Sequence, residues 1–344
     1  MYFGNDYVKG AHKDILEAIL RTNDEELGGY GTDKYTESAK NKIRQACKKE
    51  KADVFLLVGG TQTNAIVINS LLKSYEGVIA ADTGHISLHE AGAIEFTGHK
   101  VLTLPNHEGK IDAGELRNYL STYHSDKNNE HMVYPAMVYI SHPTEYGTLY
   151  TKNEISKISE ICKEYRIPLF LDGARLGYGL ASKESDMDLP FIAEVCDVFY
   201  IGGTKIGAMF GEAVIFSEGN APARYVSIIK NQGGLLAKGR FLGIQFDTLF
   251  SDNLYFRISG HAIKMAELMK KGLKDKGYKF FLDSPTNQQF IIIDNGKMEK
   301  ISNKVNFSFW EKYDETSTVI RLATSWSTTE EEVEKLVWSI RWGG

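Results

Sequence analysis

A single lysine, Lys205, lies in YIGGTKIGAMFGEAVIF (residues 200–216), between two stretches that each read as buried strand. An amine near a low-dielectric site has a lowered pKa and becomes a nucleophile able to condense with an aldehyde. Earlier in the chain, Asp172 closes the apolar run of LFLDGARLG (169–177), with Arg175 in the turn that follows. A carboxylate at the end of a buried strand needs a cation or hydrogen-bond donors, because isolated burial of its charge is too costly. Arg175 or a ligand would meet that need. Earlier still, the run DVFLLV (53–58) enters GGTQTN (59–64), and a helical segment follows. Small residues there let backbone N–H groups converge at a helix amino end, whose partial positive charge suits a phosphate. The turn has neither Walker nor GxGxxG spacing.

Each feature alone has a plain structural explanation: a capped tight connection, an Asp–Arg pair closing a turn, a surface lysine in a βα loop. Taken in order, they are the parts that pyridoxal phosphate requires: a phosphate cup, a carboxylate that keeps the pyridine nitrogen protonated, and an amine for the aldehyde.

The elements that must position these groups are legible in the pattern. β-rich runs at 53–58, 78–81, 101–104, 136–141, 168–172, 198–201 and 213–217 alternate with segments of helical period. Most are continuously apolar, as expected of strands covered on both faces, so the pattern predicts an α/β domain with a mostly parallel central sheet of seven strands. Beyond residue 246 a long helical pattern (251–276) leads to alternating runs at 289–293 and 318–323 and a final helix that opens with acidic residues. The expected division is an N-terminal segment 1–22 packing on the small domain or a partner, a large cofactor-binding domain 23–246 and a small α+β domain 247–344. The polar stretch 124–131 reads as a surface loop.

Composition narrows the function classes. The chain has 344 residues, 42% apolar and 25% charged, with 40 basic and 45 acidic side chains mixed along its length. No basic stripe for nucleic acid is present. Three scattered cysteines, Cys47, Cys162 and Cys196, suit neither a disulfide framework nor a metal site, and point to a reducing cytoplasm. The first residues lack the basic and apolar regions of a signal peptide, and no run reaches the ~18 apolar residues of a membrane span.

The motifs together resemble the low-specificity threonine aldolases, in the β-eliminating lyase group of fold-type I pyridoxal phosphate enzymes. The resemblance runs through NDYVKGAHKDILEAI (5–19), GGYGTDKYT (28–36), GGTQTN, DTGHISLHEAGA (82–93), SHPTEYGT (141–148), FLDGARL, GGTK and VIRLATSWST (319–328). It implies that Lys205 links covalently to the cofactor aldehyde, Asp172 pairs with the pyridine nitrogen, and Gly60 and Thr61 bind the phosphate. It also implies that His85 stacks on the ring and can shuttle protons. Arg175 and Arg321 would hold the substrate carboxylate or the phenolic oxygen, and His142 would lie near the substrate side chain. Three positions depart from the family pattern. Tyr139-Ile140-Ser141-His142 replaces Glu-Asn-Thr-His, Asn5 stands where a serine near the substrate carboxylate is usual, and Leu236 stands where an arginine is frequent, with Lys238 close by.

The activity so implied is cleavage of L-threonine or L-allo-threonine to glycine and acetaldehyde. His85, His142 or a water they position would take the β-hydroxyl proton. The alternative is a β-eliminating lyase or aminotransferase acting on another amino acid; a non-catalytic cofactor carrier is the reading from outside the enzymes. The resemblance further implies a homodimer or homotetramer, with GGYGTDKYT and QGGLLAKGR (232–240) as cross-subunit segments, and no metal.

Overall fold

The computed structural model describes residues 1–340; residues 341–344, at the end of the expected small domain, lie outside the described residues. All seven expected runs are strands: β1 (Asp53–Leu57), β2 (Glu76–Ala81), β3 (Lys100–Leu104), β4 (Tyr134–Ser141), β5 (Leu169–Asp172), β6 (Val198–Gly202) and β7 (Glu212–Phe216). They form one sheet in the order β1-β7-β6-β5-β4-β2-β3. From β3 to β6 every pairing is parallel, whereas β7 is antiparallel to both β6 and β1. The reversal follows from the connection 203–211, which is shorter than the crossover of about a dozen residues that parallel neighbours require. Lys205 therefore occupies a hairpin loop, and not the βα loop considered from sequence.

Strand parity divides the sheet's side chains between two apolar layers. Ile79, Val138, Ile140, Leu169, Leu171, Phe199, Ile201 and Ile215 enter one layer. Val78, Met137, Tyr139, Phe170, Val198, Tyr200, Val214 and Phe216 enter the other, with Ile66, Val67 and Ile68 of the helix Gly60–Leu71. Successive residues of a strand face opposite sides, so both faces must be covered, which explains the unbroken apolar runs. Asp172 shares parity with Phe170, and so faces the layer that carries Tyr139, Tyr200 and the helix Gly60–Leu71.

A second, antiparallel sheet comprises β8 (Lys279–Phe280), β9 (Gln288–Asp294), β10 (Ser308–Lys312) and β11 (Ser317–Ala323), in the order β10-β11-β9-β8. Its inner face, with Ile291, Ile293, Ile320 and Leu322, packs with Met265, Met269 and Leu273 of the helix Leu254–Asp275 and with Val333 and Leu336 of the helix Glu330–Ser339. Arg321 lies between Ile320 and Leu322, so its side chain leaves the opposite face. The first residues of the chain run along this sheet: Phe3 N–H donates to Asn306 O (2.9 Å), and Phe3 O accepts from Ala323 N–H (2.7 Å). No helix among the described residues is long and apolar enough to cross a membrane.

Candidate active site

The carboxyl ends of β2, β4, β5 and β6 converge on a pocket of about 630 Å³ whose lining includes His85, Glu145, Arg175, Lys205, Trp310 and Arg321. A small cleft continues from it past Gly60, Asp172 and Tyr200, with His85, Glu145, Arg175 and Lys205 shared between the two. Six of the sequence candidates, Lys205, Asp172, His85, Gly60, Arg175 and Arg321, are thereby brought together. In open α/β sheets this end of the strands is where ligands bind.

Lys205 is held through its backbone. Its carbonyl accepts from Tyr178 Oη (2.5 Å), while the loop closes through Gly203 N–H to Gly211 O (2.9 Å) and Thr204 Oγ to Glu212 Oε1 (2.9 Å). Gly202 brings β6 against the turn after β5: a Cβ there would come within 2.4 Å of Ala174 O. Burial lowers the Lys205 pKa, and the Arg175 guanidinium lowers it further, against the opposing pull of Asp6, Glu212 and Asp172. The direction favours the neutral amine, which is the nucleophilic form.

Asp172 accepts four hydrogen bonds, from Tyr139 Oη (2.6 Å), Tyr200 Oη (2.5 Å), Asn64 Nδ2 (3.1 Å) and Ala174 N (3.0 Å). Burial by itself would raise its pKa, but His85 and the donors of Tyr139, Tyr200 and Ala174 more than reverse this, so it is held below the usual carboxylate value. Of the two partners considered from sequence, Arg175 or a ligand, Arg175 turns elsewhere: its Nε and Nη2 bind Asp6 at 2.6 and 3.0 Å. Asp6 is 169 residues away in the chain and was not singled out from sequence.

His85 begins the short helix His85–Leu88, and its Nδ1 lies 2.9 Å from Glu90 Oε1. In the neutral ring that carboxylate keeps the proton on Nδ1 and leaves Nε2 as the acceptor. Glu90 Oε1 also accepts from Asn64 Nδ2 (2.7 Å), so His85 and Asp172 are joined through one amide. Gly60 is the first residue of the helix Gly60–Leu71, whose N-cap, Gly59, has no side-chain hydrogen bond to the helix. Thr61, beside it, is exposed and lies outside the pocket lining.

Arg321 has an unusual environment. Its Nη atoms donate only to neutral acceptors, Gln288 Oε1 (3.0 Å), Gly4 O (2.9 Å) and Ser308 Oγ (3.2 Å), while its guanidinium lies 5.6 Å from the Trp310 ring centre. Its Nε is buried without a partner among the described residues. Burial, reinforced by Arg175, lowers its pKa to about 10. A guanidinium that lines a pocket and makes no hydrogen bond to a carboxylate among the described residues is suited to an anionic ligand.

His142 is not brought to the pocket. It has no solvent exposure, both ring nitrogens lack partners among the described residues, and it lies behind the sheet near Gly179 and Tyr150. Burial pushes its pKa down to about 3. The reason is parity: one residue past β4, it follows Ile140 into the layer opposite Asp172. Ser141, paired in register with Asp172, and Glu145 occupy the pocket side instead. Asn5 accepts from Tyr7 N–H (3.1 Å) and lies outside the lining, and Lys238 is likewise exposed and outside it.

The Asp6–Arg175 pair carries a testable consequence. Burial alone would raise the Asp6 pKa, but Arg175, Lys205 and Arg321 bring it down from 3.8 to about 2. A carboxyl with a depressed folded pKa contributes stability that is present above the unfolded value and lost as pH falls through the folded one. The contribution is on the order of 2 kcal/mol. Asp6→Asn is expected to lower stability at neutral pH by about 3 kcal/mol, through the buried guanidinium left unpaired. Denaturant melts should also show the variant losing less than wild type between about pH 4 and about pH 2.

Comparison with known proteins gives this geometry its relatives. The family described as β-eliminating lyase matches residues 6–295. The low specificity L-threonine aldolase of Pseudomonas sp. (strain NCIMB 10558) is 30% identical over 344 residues, covering 98% of this chain and 96% of that protein. The structure of a threonine aldolase of Leishmania major superposes with a TM-score of 0.94 at 43% identity, covering 98% of this chain and 97% of that one. An aspartate aminotransferase of Thermus thermophilus, 13% identical with a TM-score of 0.72 and coverage of 98% and 90%, shares the fold. Since the family match takes in the glycine-threonine turn, the strand-end aspartate and the hairpin lysine together, the chain belongs to the β-eliminating lyase family, alongside the low-specificity L-threonine aldolases.

Proposed function

We propose that the chain binds pyridoxal phosphate and cleaves L-threonine or L-allo-threonine to glycine and acetaldehyde. The family and fold imply that cofactor, and the donor set fits it. The observation that carries the reading is the meeting of Lys205 and Asp172 in one cleft, beside an arginine hydrogen-bonded to neutral acceptors.

Lys205 would hold the cofactor aldehyde, Gly60 and Thr61 its phosphate, Asp172 its ring nitrogen, Arg175 its phenolic oxygen and His85 the face of its ring. Asp172 already accepts four hydrogen bonds, so a ring N–H would have to replace one of them, and Asn64, the longest, would keep Glu90 as its acceptor. Bound there, the cofactor supplies a conjugated ring that accepts the electron pair released when a bond to Cα breaks. Arg321 binds the carboxylate of the amino acid and so fixes which end of it meets Lys205. The aromatic wall of Tyr7, Tyr146, Phe309 and Trp310 limits water around the substrate side chain.

Purified protein given the cofactor should release acetaldehyde from L-threonine or L-allo-threonine. Arg321→Gln is expected to raise KM roughly 10–100-fold, the ~1.5–3 kcal/mol of a charge-assisted hydrogen bond. An unchanged KM in that variant would remove the carboxylate role. A homo-oligomer is also part of the reading. Tyr30 N–H donates to Ala237 O (3.0 Å), so the two expected cross-subunit segments adjoin, and half-exposed Tyr30 and Val226 border a cleft with Leu235 and Leu236. Light scattering on the eluting protein reads the assembly directly.

A further inference from the structure

The reaction needs a group that takes the β-hydroxyl proton. Of the two histidines considered from sequence, His142 lies behind the sheet, and His85, with Nδ1 held by Glu90 and Nε2 left as an acceptor, is the one assigned to the face of the cofactor ring. Glu145 had no role in the sequence reading. It is 7% exposed, lines both the pocket and the cleft, and shares them with Lys205 and Arg175. Its Oε1 accepts from Ser141 Oγ (2.6 Å) and from His85 N–H (2.8 Å). Its Oε2 is buried and has no partner among the described residues.

This arrangement gives the two oxygens different tasks. Two donors occupy Oε1, so a proton on this carboxyl resides on Oε2, which then has no protein acceptor. A buried polar atom left in that condition is costly, and a ligand group that completes it removes the cost. We propose that Glu145 is a catalytic residue whose Oε2 takes the β-hydroxyl proton of the substrate. The inference rests on the aldolase reading above.

The proton balance closes. The hydroxyl O–H bond breaks and its proton passes to Oε2, while the O–H electron pair becomes the second bond of the aldehyde carbonyl. The Cα–Cβ pair stays with the amino-acid fragment, and acetaldehyde leaves. Cα takes up one proton and Glu145 releases one to solvent, so glycine departs, the count balances and Glu145 is restored as a carboxylate. Burial raises the Glu145 pKa and Asp172 adds to this, whereas Ser141 and His85 pull it down; Arg175, Tyr139, Tyr150 and Lys205 complete its titratable surroundings. A carboxylate raised toward the working pH is a better base than an ordinary one.

The test is Glu145→Gln, read in three ways: cofactor affinity by equilibrium titration, exchange of the glycine Cα hydrogens in D₂O by NMR, and cleavage of L-threonine. Cofactor affinity and glycine exchange, neither of which needs a hydroxyl deprotonated, are expected to persist, while cleavage falls roughly 10²–10⁴-fold. Cleavage at the wild-type rate overturns the proposal. A parallel loss of all three readouts in a folded variant overturns it too, because Glu145 then holds the cofactor. Wild-type protein that exchanges glycine hydrogens but cleaves no β-hydroxy amino acid overturns the aldolase reading instead. If Glu145→Gln does not fold, Ser141→Ala decides: losing the bond that lowers Glu145 should move the acid limb of kcat/KM to higher pH, and an unmoved limb overturns the assignment.

Discussion

Lys205→Ala is expected to fold as wild type does and to lose threonine cleavage by about 10⁵-fold or more, the advantage of a positioned reactant over one delivered from solution. Folding should survive because the lysine is anchored through its carbonyl and its loop closes through Gly203, Thr204 and Glu212, none of which the substitution removes. Its amine, by contrast, opposes burial, as the direction of its pKa shows. The melting temperature should therefore stay level or rise. Borohydride reduction of the loaded wild-type protein should fix the cofactor to the peptide carrying Lys205. The same treatment of the variant should leave no labelled peptide. A label on another lysine would relocate the reactive amine.

Asp172→Asn should reduce kcat by roughly 10²–10³-fold, the scale found when a preorganised electrostatic group is removed from a reacting centre. The amide is close in shape but carries no charge, and two of its four positions become donors. It then confronts Tyr139, Tyr200, Asn64 and Ala174, which all present hydrogens to the carboxylate. Cofactor affinity should fall less than kcat, since Lys205 and the Gly60 turn are untouched. Equal kcat in variant and wild type would show that the charge of Asp172 contributes nothing to the reaction.

The large sheet was legible because its strands are buried on both faces and read as unbroken apolar runs; the direction of β7 lay in the length of the 203–211 connection, not in composition. β8 and β10 were missed: one has two residues, and the other, SFWEK, is a half-exposed edge with no apolar run. At the site, Lys205 and Asp172 were readable because a charge at the end of a buried strand needs a reason. Tyr139 and Tyr200 could have been found by counting parity from Asp172 across the neighbouring strands, and the same count would have removed His142. Asp6 and Glu145 had no such signal. One acts on an arginine 169 residues away, and the other is a lone glutamate in a loop whose meaning depends on which oxygen is left unpartnered.

The central claim is that this site breaks the Cα–Cβ bond of a β-hydroxy amino acid. The most direct measurement is the product balance from L-threonine with cofactor-loaded protein, following glycine, acetaldehyde, keto acid and ammonia in one reaction. Equal amounts of glycine and acetaldehyde, with no keto acid, are the result predicted here. Keto acid with ammonia, in place of glycine, would show that a different bond is broken and would contradict the account.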